Sequence, residues 1–393
     1  MIKSATIKSR QQQTQKVLKG NIAAAVAAKL CRVTFVTAYP ITPQTTIVEE
    51  ISSMVESGEF DATSVNIESE HSVFAAIKGA SMTGERVFTA TSGQGLLYAH
   101  EVLHAIAHLR LPIVACNVGR PSYPWNIWCD HTDSISQRDT GWIQFYCENS
   151  QEVLDTIIQS YKIAEQLLLP VLVIIDAFYL SHTSENVLVP EQKLVDDFLP
   201  PRKITNAEID VAHPKAFGGL VAPDMYDKFN EQYWKNINKA EDETISTGKE
   251  FGNCFGRKYE AVEAVNIHAH TKIILVTMAS IATTIRGLLP LHPEVGLLKI
   301  RLFKPFPRKS ILKILRQVSD ECVIVNLDRN FLGDSEGALM QEMKRALYGV
   351  FEKKMFGVYL GVGGRDVPPE TIEKIIRTDF NSPETNEIIW IDK

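Results

Sequence analysis

The chain has 393 residues, 45% of them hydrophobic and 22% charged, with a formal net charge of -6. Those proportions describe a soluble globular protein of about two to three domains, and the mildly acidic balance gives no electrostatic reason to expect nucleic acid or an anionic membrane as partner. No run of roughly 18 apolar residues is present to span a bilayer, and residues 1–15 lack the apolar core and cleavage site of a secretory signal, so the expected location is the cytoplasm.

From about residue 18 to 185, short β-branched runs alternate with longer helical stretches. The expected strands are residues 33–38, 64–67, 87–91, 113–118 and 171–175, with helices at 72–82, 96–108 and 152–168. Such a βαβ series builds a mostly parallel sheet, and the unbroken apolar run at 171–175 suits a strand buried on both faces. From about 186 to 262 the rhythm breaks at Pro190, Pro200, Pro201 and Pro214, ahead of a charged helical stretch at 225–239. This reads as a linker plus a surface helix. Alternation resumes with strands at 272–279, 296–302, 322–327 and 356–360 and helices at 308–316 and 339–346, a second α/β unit of about 130 residues, which is an ordinary domain size.

Four stretches carry candidate chemistry. Tyr39-Pro40-Ile41-Thr42-Pro43-Gln44-Thr45-Thr46 joins an expected strand to a helix, and its prolines fix the backbone at a strand's C-terminal end, where open α/β sheets bind ligands. Ile67-Glu68-Ser69-Glu70-His71-Ser72 sits at the next such passage, and Glu70, at the helix start, either caps the helix or turns inward. Thr89-Ala90-Thr91-Ser92-Gly93-Gln94-Gly95 has the small residues that let backbone come close to a ligand or a subunit, without the third glycine of a dinucleotide fingerprint. Finally, Asn117-Val118-Gly119-Arg120-Pro121-Ser122-Tyr123-Pro124-Trp125 leads into Asp130-His131-Thr132-Asp133. An arginine there is suited to fork a carboxylate in a dry pocket; the structural alternative pairs it with Asp130 or Asp133.

In combination these loops resemble the α subunit of the 2-oxoacid:ferredoxin oxidoreductases, the thiamine-diphosphate enzymes typified by pyruvate:ferredoxin oxidoreductase, over about residues 15 to 370. The resemblance implies an α/β fold with a pyrimidine-binding thiamine-diphosphate domain at residues 1–262, its linker region at about 186–262, and a domain like the C-terminal domain of transketolases at 263–393. It implies Glu70 as the catalytic carboxyl at the cofactor's N1′, Arg120 as the binder of the 2-oxoacid carboxylate, and Thr42 as a substrate hydrogen-bonding residue. The Ser92–Gly95 stretch would line the cofactor pocket or a subunit interface. Thiamine diphosphate would be shared with a β subunit that also holds Mg²⁺, with [4Fe-4S] clusters on a ferredoxin-like δ subunit, a γ subunit in the complex, coenzyme A as co-substrate and ferredoxin as acceptor. The chain itself has no Gly-Asp-Gly with a distal Asn, the usual thiamine-diphosphate metal motif, and its six cysteines are scattered without cluster-ligand spacing.

The implied reaction is CoA-dependent oxidative decarboxylation of pyruvate to acetyl-CoA and CO2, in either direction. Many pyruvate-specific relatives read Asn-Arg-Ala-Leu-Ser-Ala-Pro where this chain has Gly119-Arg120-Pro121-Ser122, so branched-chain and other 2-oxoacids stand as the alternative; Thr42 argues against oxalate, whose two charges call for a second arginine. A non-catalytic scaffold subunit and a nucleotide-binding α/β protein are the rivals from other classes. Three histidines at helical spacing, His100, His104 and His108, are read as packing or surface residues rather than a metal site. Phe303-Lys304-Pro305-Phe306-Pro307 is read as structural, and Gly361-Val362-Gly363-Gly364 as a turn without assigned chemistry.

Overall fold

The computed structural model describes residues 12–203, 208–331, 333 and 336–391; most of the segment read for a secretory signal lies outside them. Seven strands form one sheet in the order β12-β6-β7-β5-β4-β2-β3: β2 (Phe35–Ala38), β3 (Thr63–Asn66), β4 (Val87–Thr91), β5 (Val114–Gly119), β6 (Ile143–Tyr146) and β7 (Val171–Asp176) run parallel, and β12 (Leu302–Lys304) closes the edge antiparallel to β6. A second sheet of six strands has the order β15-β14-β13-β10-β11-β9. Its strands are β9 (Val262–Val265), β10 (Ile273–Thr277), β11 (Val295–Ile300), β13 (Val323–Asp328), β14 (Met355–Tyr359) and β15 (Ile388–Trp390), all parallel except β9. β1 (Gln13–Lys19) and β8 (Ser184–Pro190) make a separate antiparallel pair.

The period-two alternation of strand side chains divides the interior into cores. Val114, Cys116 and Val118 of β5 and Val171, Val173 and Ile175 of β7 point to one cluster, with the alanine-rich helix Gly20–Leu30 and the helix Ser150–Leu167. Ala115, Leu172 and Ile174 point to another, which also takes Ile274 and Val276 of β10, Leu298 and Ile300 of β11 and Ile324 of β13. A single apolar cluster thus joins the two sheets, and a third lies on the far side of the second sheet.

Two expectations change here. The single helix expected at 96–108 is two, Gly93–Tyr98 and His100–His108. The stretch at 186–262 is only partly a linker: β8 pairs with β1, and Phe198, Phe251 and Phe255 stack edge to face and face to face inside the first core. The surface helix is there as Pro223–Ile237, with no buried residue. Pro190 ends β8, and Pro200 and Pro201 follow the short helix Gln192–Phe198, whose Phe198 packs on Phe251 and Phe255 of the helix Ala240–Phe255.

Candidate active site

The site forms at the C-terminal ends of β2, β4 and β5. Glu70 opens the helix Glu70–Met82, whose N-cap is Ser69, its hydroxyl accepting from the Ser72 amide. The two carboxylates of this passage part company: Glu68 is exposed and accepts from the Ser72 hydroxyl, whereas Glu70 is only 8% exposed. Its side chain lies on Gly95, where a Cβ would come within 2.5 Å of Oε1. No described residue hydrogen-bonds the Glu70 carboxylate, and the neighbouring Thr91 Oγ1 is buried without a partner.

Arg120, just past β5, is buried and lies across Gly93. That glycine has φ +49, and a Cβ there would stand 2.2 Å from Arg120 Nε, so both its backbone freedom and its missing side chain are needed. The guanidinium donates from Nη1 to the Thr42 carbonyl and from Nη2 to Gln94 Oε1 (2.8 Å). Gln94 is tied in turn to the Ser122 carbonyl. Among the described residues only two of the five donors a guanidinium carries are engaged, both by neutral acceptors, and Nε is buried without a partner there. Burial lowers the pKa of Arg120, with Asp133 and Glu70 pulling the other way. A desolvated cation with spare donors is a receptor for an anion.

The structure brings Glu70, Arg120 and Thr42 to one place, across Gly93–Gly95. Thr42 itself is exposed and meets Arg120 through its carbonyl. Of the two aspartates considered for Arg120, neither pairs with its guanidinium. Asp133 takes its backbone N–H (3.1 Å), and Asp130 accepts from Thr132 N (2.8 Å) and from Gly363 N (2.8 Å). The glycine-rich turn at 361–364 therefore belongs to this neighbourhood: it also holds Asn126 and Tyr179 and braces the loop after Arg120. That loop carries Tyr123 and Trp125, 78% and 61% exposed. His100 Nδ1 meets Gln137 Oε1, His104 Nε2 lies 3.4 Å from His100 Nε2, and His108 Nδ1 meets the His104 carbonyl.

Sequence reading missed a second polar cluster, between the two sheets. Asp176, at the end of β7, binds His131 Nε2 through Oδ1 (2.8 Å) and Arg329 Nη1 through Oδ2 (3.0 Å), and accepts from Ser280 N and Oγ. Burial alone would raise the pKa of Asp176, but His131, Arg329 and Ser280 outweigh it and hold the group well below the ordinary carboxylate range. Donor atoms of Cys129, His131 and Asp176 lie within 4.8 Å of one another. The Arg329 guanidinium occupies their midst, 3.2 Å from Cys129 Sγ, so a cation is already supplied by the chain. These residues come from positions far apart in sequence, with no local pattern to announce them.

Residues 26–248 match the family described as "Pyruvate flavodoxin/ferredoxin oxidoreductase, thiamine diP-bdg", and residues 271–372 match "Pyruvate:ferredoxin oxidoreductase core domain II". The chain belongs to the pyruvate/2-oxoacid:ferredoxin oxidoreductase family, and is an oxidoreductase of that type. It is 45% identical over 367 residues to the ketoisovalerate oxidoreductase subunit VorA of Pyrococcus horikoshii, covering 92% of each chain. It is 42% identical over 386 residues to the pyruvate synthase subunit PorA of Methanocaldococcus jannaschii, covering 96% of this chain and 97% of that one. In fold it is similar to a 2-oxoglutarate:ferredoxin oxidoreductase from Magnetococcus marinus (TM-score 0.71, 18% identity), over 93% of this chain and 65% of that longer one.

The residues present fit the aminopyrimidine end of thiamine diphosphate. That end needs a carboxyl withdrawn from water, beside backbone that a flat ring can approach. Glu70 offers one that no described residue hydrogen-bonds, next to Gly95 and a Thr91 hydroxyl without a partner among the described residues.

Proposed function

We propose that the chain is the α subunit of a cytoplasmic, CoA-dependent 2-oxoacid:ferredoxin oxidoreductase whose substrate is pyruvate. The overall change is 2-oxoacid plus coenzyme A to acyl-CoA, CO2, a proton and two electrons, the electrons going to ferredoxin. Residues 1–262 are taken as the pyrimidine-binding part and 263–393 as the transketolase-C-like part. A β subunit would hold the diphosphate end with Mg²⁺, a δ subunit the [4Fe-4S] clusters, and a γ subunit would complete the complex. One observation carries the reading: among the described residues, a buried carboxylate at Glu70 without a hydrogen bond and a buried guanidinium at Arg120 with donors to spare lie across two glycines at the end of a parallel sheet.

Thiamine diphosphate, when bound, supplies the electron sink for carbon–carbon cleavage next to a carbonyl. Glu70 holds or releases a proton at its carboxylate oxygen, which lets the pyrimidine ring act as acid and base. Arg120 takes the substrate carboxylate on its free N–H groups, and Thr42, whose carbonyl it already grips, sets the side from which the substrate enters. Gly93 and Gly95 keep room for both side chains.

Branched-chain 2-oxoacids are the second reading, favoured by the 45% identity to the VorA subunit and by the exposed aromatics beside Arg120, which can wall a larger pocket. Reduction of ferredoxin by the complex co-purified with this chain, with CoA and each of pyruvate, 2-oxoisovalerate, 2-oxoglutarate and an aryl pyruvate, decides between them. Pyruvate is expected to give the highest kcat/KM; turnover of 2-oxoisovalerate alone would sink the pyruvate assignment.

A further inference from the structure

Asp133 is fully buried on the short helix Thr132–Ile135, and the proposed chemistry gives it no task. One of its oxygens, Oδ2, accepts three hydrogen bonds: from Gly93 N (2.9 Å), Asn117 Nδ2 (2.9 Å) and Arg120 N (3.1 Å). The other, Oδ1, accepts from Ser134 N (2.6 Å). Two of these donors are the backbone amides of Gly93 and Arg120. Those are the two residues whose spacing decides where the guanidinium lies, since Arg120 rests directly on Gly93. The preceding residue, Thr132, fixes the same loop a second time, because its Oγ1 accepts from Ser122 N (3.1 Å) while the Ser122 carbonyl holds Gln94, the partner of Arg120 Nη2. A single carboxylate thus sets the ends of β4 and β5 in register, and its neighbour Thr132 holds the loop beyond.

We propose that Asp133 is the positioning residue for Arg120, and that its carboxylate determines the affinity of the enzyme for the carboxylate of its 2-oxoacid. This rests on the reading of Arg120 given above. The requirement is for four acceptor directions and no donor. In Asp133→Asn, if the amide oxygen keeps the three donors at Oδ2, the amide nitrogen faces Ser134 N at a distance where two N–H groups repel; turned over, it faces three N–H groups instead. The loop must shift either way, and Arg120 moves with it.

The test uses the assembled complex with pyruvate and with 2-oxoisovalerate. Asp133→Asn is expected to raise KM for the oxoacid roughly 10- to 100-fold, the range of a hydrogen bond to a charged group, with a much smaller change in kcat and with thiamine diphosphate affinity unchanged by titration calorimetry. A merely structural role would lower the active fraction and the melting temperature and leave KM alone. In an Arg120→Ala background, Asp133→Asn should add nothing to KM; additive effects, or a wild-type KM in the single variant, overturn the proposal. An unchanged KM in Arg120→Ala alone rejects the reading of Arg120, and the proposal with it, which is a distinguishable failure. If Asp133→Asn does not assemble, Asn117→Ala removes one of the three donors and should raise KM in the same direction by a few fold; no rise there also overturns the proposal.

Discussion

Arg120 and Arg329 are both buried arginines just beyond parallel strands, and they are built for opposite ends. Arg329 meets a full carboxylate, Asp176, whose other oxygen is held by His131, and although burial pulls its pKa down, Cys129 and Asp176 together keep it above the ordinary arginine value. Arg120 meets only a carbonyl and an amide oxygen, and burial pulls its pKa down. Asp133, beside Arg120, spends its acceptors on three backbone amides and the Asn117 side chain rather than on the guanidinium. A buried charge that has found its counter-charge locks two units together, whereas one denied it waits for a ligand. The difference lies in whether the neighbouring carboxylate is aimed at the guanidinium or at the backbone.

The comparison breaks most visibly at Glu70. Glu70→Gln keeps the shape and replaces one carboxyl oxygen by an amide nitrogen, so kcat for ferredoxin reduction should fall about 10²- to 10⁴-fold while the unfolding midpoint of the complex stays put. Full turnover would return the chain to the scaffold reading. Next comes Arg329→Met, which leaves Asp176 with less of its counter-charge; stability should drop by about 3–5 kcal/mol in denaturant unfolding. Arg120→Met, by contrast, strands no carboxylate bonded to the guanidinium and should cost little stability, while raising KM for the oxoacid by roughly 10- to 100-fold. If the two arginine variants lose stability equally, the distinction between lock and receptor fails.

Much of the first region was legible in the sequence because its parts are local. β4 matches the expected strand at 87–91, β7 begins at the expected Val171, and Thr42 and Arg120 each stand within a few residues of a strand end marked by proline or glycine, while Glu70 follows the end of β3 at a helix start. The inward turn of Glu70 was not, since Glu68 and Glu70 differ only in which side of the helix start they leave. The seam was invisible: Asp176, Ser280 and Arg329 follow three different strands, and no periodicity encodes that β7, β10 and β13 end at one place. Asp133 lay in a quoted stretch, but its acceptors serve Gly93, Asn117 and Arg120, a pattern that exists only once the sheet has formed. The short strands β6 and β12 were missed because each is brief, and β12 pairs across units.

Two buried aspartates, Asp176 and Asp328, make a prediction in pH with opposite sign. Asp176 has its folded-state pKa lowered, so its contribution is complete above the ordinary carboxylate range and is lost as pH falls through the folded value. Asp328, at the end of β13, is fully buried and accepts from Leu339 N (2.8 Å) and Asn330 Nδ2 (2.9 Å), yet burial pushes it up to about 6. Its folded state holds the proton more tightly than the unfolded chain, whose carboxylates titrate near about 4. Stability from Asp328 is therefore complete below that value and declines as pH rises through about 6. Asp328→Asn removes the titration, so between about pH 4.5 and 7 the variant should lose less stability than the parent, by on the order of 1–3 kcal/mol, measured by urea unfolding at both pH values. An unchanged slope would mean that the Leu339 and Asn330 donors outweigh burial, and that Asp328 is held ionised like Asp176 rather than opposed to it.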